Sequence, residues 1–208
     1  MRISDIINEE VQIVSEITLP DFRKDLQGRG ENSAEKKLTN WGYEKAASGT
    51  FADVYTKPGT NKVLKVFDDD RGYLQFIRFV KKNPSQHYPV FLSKLVKVSP
   101  WINAIRIEKL TPIGRNYRGV SKEDLSEIIR RMSWYDNWDE MIADTTKRQG
   151  TKEIIELLKY FQKTQPGLLD AVRSLFSNTK KKTDVDLHDD NMMLRGDTIV
   201  ISDPWVVW

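Results

Sequence analysis

Asp186-Leu-His-Asp-Asp-Asn191, followed after a short spacer by Thr198-Ile-Val-Ile-Ser-Asp203, decides how this 208-residue chain is read. A carboxylate, a carboxamide five residues later and a second carboxylate at the end of an apolar run suit phosphate chemistry. Phosphoryl transfer asks for a group that orients the incoming hydroxyl and for oxygen ligands to magnesium. Asp186 suits the first role, and Asn191 and Asp203 suit the second. Magnesium takes few protein oxygens and keeps water or phosphate in its other positions. The same loop also reads as a solvated turn, because Asp and Asn dominate turns. An EF-hand is excluded: the sixth position from Asp184 is Asp189 rather than Gly, and the twelfth is Arg195 rather than Glu. A metal-binding Asp184-Val-Asp186 pair of the glycosyl-transferase kind would need a strand ahead of it, and Lys180 to Thr183 is not read as one.

Upstream, Ala47-Ser-Gly-Thr-Phe-Ala-Asp-Val54 leads into a strand, and Lys65 lies in the next one within Val63-Leu-Lys-Val-Phe67. Lys57-Pro-Gly-Thr-Asn-Lys62 supplies the hairpin turn between them. Strand alternation puts Lys65 on the face of Val63 and Phe67. A buried ammonium needs a partner, and a phosphate would serve; an edge lysine pointing at water is the plainer alternative.

The rest of the chain falls into place around these segments. Ile3, Ile6, Ile7, Val11, Val14 and Ile17 predict a helix that Pro20 stops, and polar residues 21 to 40 read as a linker. Tyr73, Phe76, Ile77 and Val80 at i, i+3, i+4 and i+7 predict a helix ending near Asn83-Pro84. Strands are expected over Val90 to Val98 and Ile102 to Glu108, which makes the first half β-β-α-β-β and antiparallel. The second half is helical, with a capping box at Ser121 to Asp124 ahead of Leu125, Ile128, Ile129 and Met132. Two further stripes follow: Ile154, Leu157, Leu158, Phe161, and Leu168, Val172, Leu175, Phe176. Trp134, Tyr135, Trp138 and Met141 read as core or as an interaction surface, and Trp205 and Trp208 as docking the tail onto the helical half. The expected division is an N-terminal helix and linker (1–40), a β-rich half (41–112) and a helical half (113–208).

Composition narrows the class. Lys and Arg total 33 against 30 Asp and Glu, a net +3, so nothing demands a nucleic-acid partner. A hydrophobic fraction of 39% can build a core. With no cysteine, thiol catalysis, disulfides and Cys-bound zinc are excluded; the composition suits a reducing cytoplasm. Only His87 and His188 are present, too few for a multi-histidine zinc site. No run reaches the ~18 apolar residues of a membrane span, and acidic residues interrupt the N-terminal apolar positions, so it does not read as a signal peptide.

Taken together, these residues resemble the protein-kinase-like superfamily over about 47 to 203. The glycine-rich loop pattern falls on Ala47, Gly49, Ala52 and Val54, with Phe51 at the tip and only the middle glycine kept. The resemblance implies an α+β, bilobal fold: an antiparallel β-sheet N-lobe and a minimal, truncated helical C-lobe. It assigns ATP to Gly49, Thr50, Phe51, Val54, Val63 and Lys65, with adenine at the Ile107-Glu-Lys-Leu110 hinge through Glu108 and Leu110. Asp186 becomes the catalytic aspartate beside Lys65, Asn191 and Asp203 the Mg2+ ligands, and His188 a neighbour of the transferred phosphoryl. Asp-Leu-His-x-x-Asn is shared with aminoglycoside-kinase-like phosphotransferases. The whole layout, including Ile201-Ser-Asp-Pro204, is similar to the small early serine/threonine kinases of short-tailed bacteriophages.

Departures from that pattern are equally plain. No glutamate lies between Lys65 and Glu108 to pair with the lysine; Gln75 is the nearest by position, and Asp68, Asp69 and Asp70 lie close in sequence. Pro204-Trp205 replaces Phe-Gly, and the substrate platform that the activation segment and later helices form in a protein kinase is expected here from the N-terminal helix, residues 115 to 150 or a second copy of the chain. Lys180-Lys181-Lys182 reads as a solvated turn or an attraction for acidic substrates. The implied function is an ATP/Mg-dependent kinase of host-protein hydroxyls or of itself, in the host cytoplasm. The alternatives are a kinase-fold module that inhibits a host protein by contact, and a small-molecule kinase.

Overall fold

The computed structural model describes residues 31–49, 51–68, 70–98, 101–179 and 183–207. The helix expected over 3 to 17, Thr50, Asp69, the Ser99-Pro100 turn, Lys180 to Lys182 and Trp208 lie outside the described residues.

Five strands form one antiparallel sheet: β1 (Glu44–Ser48), β2 (Ala52–Thr56), β3 (Lys62–Asp68), β4 (Val96–Lys97) and β5 (Ile102–Glu108), in the order β1-β2-β3-β5-β4. Alternation along β3 feeds two cores. Leu64 joins Tyr55, Val98, Ala104 and Leu38 on one face; Val63 and Phe67 face the main core on the other. Leu38 belongs to helix α1 (Glu31–Asn40), so the second half of the presumed linker is a helix that covers the sheet. Its single anchoring leucine leaves no readable apolar period. The long strand expected over 90 to 98 is two residues plus an isolated bridge from Phe91 to Ile107. Val90 and Leu92 are exposed and turn away from the core that a continuous strand would need.

Helix α2 (Arg71–Lys82) crosses the main-core face of the sheet as its apolar spacing predicts, burying Tyr73, Phe76, Ile77, Phe79 and Val80. Asp70 caps it by accepting the Tyr73 backbone N–H at 3.1 Å, and it ends at Asn83. The helical half contains α3 (Lys122–Arg131), α4 (Trp138–Lys147), α5 (Lys152–Thr164) and α6 (Gly167–Ser177). Ser121 caps α3 as the capping pattern predicts, accepting from Asp124 N at 3.0 Å. Tyr135, Trp138 and Met141 are core, whereas Trp134 is exposed.

Short strands join the halves. After β5 the chain makes β6 (Thr111–Pro112), then the small hairpin of β7 (Asn116–Tyr117) and β8 (Val120–Ser121). β6 pairs with β10 (Met192–Arg195), which pairs with β11 (Thr198–Ile201). Finally β9 (Thr183–Val185) pairs antiparallel with β12 (Trp205–Val207). Two expectations are corrected by this last pair. A strand that begins at Thr183, the one described residue of the stretch read as no strand, does precede Asp186, and Trp205 docks on α2 rather than on the helical half, with ring centroids 5.9 Å from Phe76 and 5.1 Å from Phe79. At three residues each these strands are too short to show an alternating pattern, and each is stabilised by the partner it finds across the fold.

Candidate active site

Lys65 and Asp203, 138 positions apart, meet with Nζ 2.6 Å from Oδ2. Each arrives for a structural reason. Lys65 projects from the core face of β3, where it is only 8% exposed. Asp203 follows β11, whose Ile199, Val200 and Ile201 are fully buried and so fix where the strand ends. The second partner of Lys65 is the ring of Tyr73, with Nζ 3.5 Å from its centroid. Gln75, the residue nearest by position to a missing helix glutamate, does not take that place; the aromatic ring two positions before it does.

Asp186 is held beside this pair by the backbone. Its N–H donates to Pro204 O at 2.7 Å, extending the β9–β12 register by one step. Asn191 closes the loop: its Nδ2 donates to Asp186 O at 2.8 Å, and its own carbonyl accepts Ser202 N at 2.8 Å. With Nδ2 so committed, the carboxamide oxygen is the atom left that could coordinate a cation. His188 accepts Asp190 N at Nδ1, 3.2 Å away, which places a neutral ring's proton on Nε2, 3.6 Å from Asp186 Oδ2. Lys122 at the start of α3 reaches Asp190 at 2.9 Å and anchors the loop to the helical half.

The electrostatics are one-sided. Burial raises the pKa of Asp203; Lys65 opposes that, and the charges of Asp70 and Asp186 add to it. Asp203 therefore feels two further carboxylates against the one ammonium it pairs with, an excess that a divalent cation would offset. Among the described residues no group of three or more His, Cys, Asp or Glu has metal-cage geometry. Magnesium is commonly held by one or two carboxylates plus substrate phosphates. Asn191 and Asp203 fit such a role.

The other expected residues line one side of the sheet. Val54 stands opposite Lys65 across β2–β3, and Val63 opposite Ile107 across β3–β5. In the β1–β2 turn Gly49 N donates to Ala52 O at 2.8 Å, Phe51 O accepts Asp68 N at 3.0 Å, and the Phe51 side chain is exposed. Leu110 is buried past the end of β5. The Glu108 side chain serves the fold instead, pairing bidentately with Arg195 (Oε2 to Nε 2.7 Å) and accepting Val90 N at 2.7 Å. Arg195 also donates to Gln86 O and Tyr88 O at 2.8 and 3.0 Å, so one guanidinium ties the end of β5 and the segment after α2 to β10.

Sequence reasoning missed Tyr73 as the partner of Lys65 and Arg195 as the partner of Glu108. Tyr73 was legible only as one member of an apolar stripe, and the absence of glutamate between Lys65 and Glu108 was the one signal that the lysine needed another partner.

No protein-family model matches the chain, and no curated protein matches it by sequence. Among solved structures it is similar to spectinomycin phosphotransferase, in complex with ADP and spectinomycin, at 11% identity and a TM-score of 0.38. The match covers 79% of this chain and 64% of the phosphotransferase.

Proposed function

We propose that this chain is an ATP- and Mg2+-dependent phosphotransferase of the kinase type, acting on serine or threonine hydroxyls of bacterial host proteins or of its own chain. The observation that carries it is the meeting of Lys65 with Asp203, 138 positions away, next to Asp186. Lys65 would bind phosphate oxygens, with the Gly49–Phe51 turn, Val54, Val63 and the backbone at Glu108 to Leu110 holding the rest of the nucleotide. Asn191 and Asp203 would hold magnesium, which offsets negative charge on the phosphates. Asp186 orients the acceptor hydroxyl and takes its proton, and His188, with its proton on Nε2, keeps that carboxylate turned into the site. The Asp-x-His-x-x-Asn loop and the Ile-x-Asp-Pro ending support the phage-kinase form of this reading. The Asp186-Leu-His188 sequence also favours a second acceptor class, a small hydroxyl-bearing molecule of the aminoglycoside type.

Radiolabelled ATP with bacterial lysate, and separately with aminoglycosides, tests both acceptors. Asp186→Ala should reduce transfer by about 10²–10⁴-fold, the usual worth of a general base, with circular dichroism unchanged. Transfer that survives the substitution overturns the assignment. No transfer and no magnesium-dependent thermal shift with ATP would leave a contact inhibitor built on the same fold.

A further inference from the structure

Lys65 is buried, and its ammonium pairs with one charged group among the described residues, Asp203. Its other contact is the face of Tyr73, at a distance where the ring's quadrupole attracts a cation, most strongly when water is excluded. Tyr73 is 1% exposed, and its hydroxyl has no hydrogen-bond partner among the described residues. Burial, with Asp203 and Asp70 nearby, raises its pKa well above the ordinary phenol value, so it stays neutral. The hydroxyl therefore explains nothing about the contact; the ring does.

That ring is fixed from several sides. Phe67, two residues along the same strand face as Lys65, meets it edge-on at 4.9 Å, and Phe76 lies 6.2 Å away one helical turn on. Asp70 accepts the Tyr73 backbone N–H. Gly72, the preceding residue, lets α2 approach so closely that a Cβ there would sit 2.2 Å from Trp205 O. The chain just past Asp203 and the ring under Lys65 are thereby held by one helix.

A carboxylate partner neutralises an ammonium, whereas an aromatic face holds it and leaves its charge to act on something else. We infer that Tyr73 is a positioning residue for Lys65: its ring face holds the ammonium where a second carboxylate would otherwise stand, so that Asp203 alone competes with a nucleotide phosphate for the charge. The inference rests on the phosphotransferase reading above. Without the ring, Asp203 is the one group among the described residues left holding Lys65, and the ammonium loses the second contact that fixes where it meets a phosphate.

The test replaces Tyr73→Phe and then fluorinates that ring stepwise at one, two and three positions, which drains the quadrupole at nearly constant size. Magnesium-ATP affinity of the full chain is measured by calorimetry. In parallel, the methylene protons of Lys65 are followed by NMR in 13C-lysine-labelled protein. The Tyr73→Phe protein is the reference point against which the fluorinated rings are compared. The series should lose affinity progressively, reaching about tenfold with three fluorines, and Lys65 should resonate upfield of the other lysines in the unfluorinated protein. Affinity that is flat across the series, while Lys65→Met still weakens ATP binding, overturns the inference and leaves the function standing. Unsubstituted protein that binds no magnesium-ATP overturns the function and this inference with it.

Discussion

Replacing Gly72 with alanine probes the junction that brings the two halves of the site together. In the first turn of an exposed helix Ala would be preferred to Gly by about 1 kcal/mol. Here the added Cβ would sit 2.2 Å from Trp205 O and 2.9 Å from Trp205 C, against a floor of 3.0 Å for real contacts, so α2 and β12 must separate by at least 0.8 Å. The obstacle is a backbone carbonyl of β12, a strand fixed by its pairing with β9, which cannot rotate away as a side chain would. Overpacking of this kind costs about 1–3 kcal/mol; with the helix gain set against the upper part of that range, the net loss is about 1–2 kcal/mol. For a chain of this length that lowers Tm by about 2–8 °C. Because α2 carries Tyr73, and Asp203 lies two residues before Trp205, the displacement also opens the Lys65 cluster; an error near 1 Å in such a site costs up to about 10²-fold in rate. Scanning calorimetry and phosphotransfer assays measure the two effects. Gly114→Ala is the control, since nothing lies within 4 Å of a Cβ there and no left-handed φ is required. Gly72→Ala melting at or above the parent temperature, with unchanged activity, would refute the reasoning.

Other perturbations have equally definite outcomes. His87 is fully buried, with Nδ1 donating to Ile199 O at 2.9 Å, and burial holds its pKa below the ordinary 6.5. The unfolded chain therefore takes up the proton first, and stability falls as pH drops below that value; urea titrations from pH 7 to 5.5 should show a smaller loss in His87→Gln than in the parent. Glu108→Ala removes the bidentate partner of Arg195, whose side chain is one-third exposed, so the expected cost is about 1 kcal/mol and shrinks in high salt. Equal urea midpoints at low salt would show that the clasp contributes nothing. Ser121→Ala should cost about 1 kcal/mol through loss of the α3 cap, seen as a lower thermal midpoint with unchanged nucleotide affinity.

Regular elements with strong internal periodicity were readable in advance. The α2 stripe from Tyr73 to Val80, the helices over 122–131, 152–164 and 167–177, and the β2–β3 hairpin all lie where the spacing puts them. Elements stabilised chiefly by partners distant in sequence were not. β12 has three residues and gains its order from β9 and α2, while α1 offers only Leu38 to a core it cannot announce. The candidate site was legible as a set of names: Lys65, Asp186, Asn191 and Asp203 could be picked out from residue type, order and interval.

What the sequence determined by itself was this set and the two-part plan, because chemistry-bearing residues and apolar period are local properties of a chain. Only the tertiary structure decided that Lys65 faces inward onto Asp203 and the Tyr73 ring, that Glu108 is held by Arg195, and that Trp205 joins α2. Those outcomes depend on which surfaces pack together. A side chain's partner is chosen by the lowest free energy of the whole fold, a quantity that no interval between letters encodes.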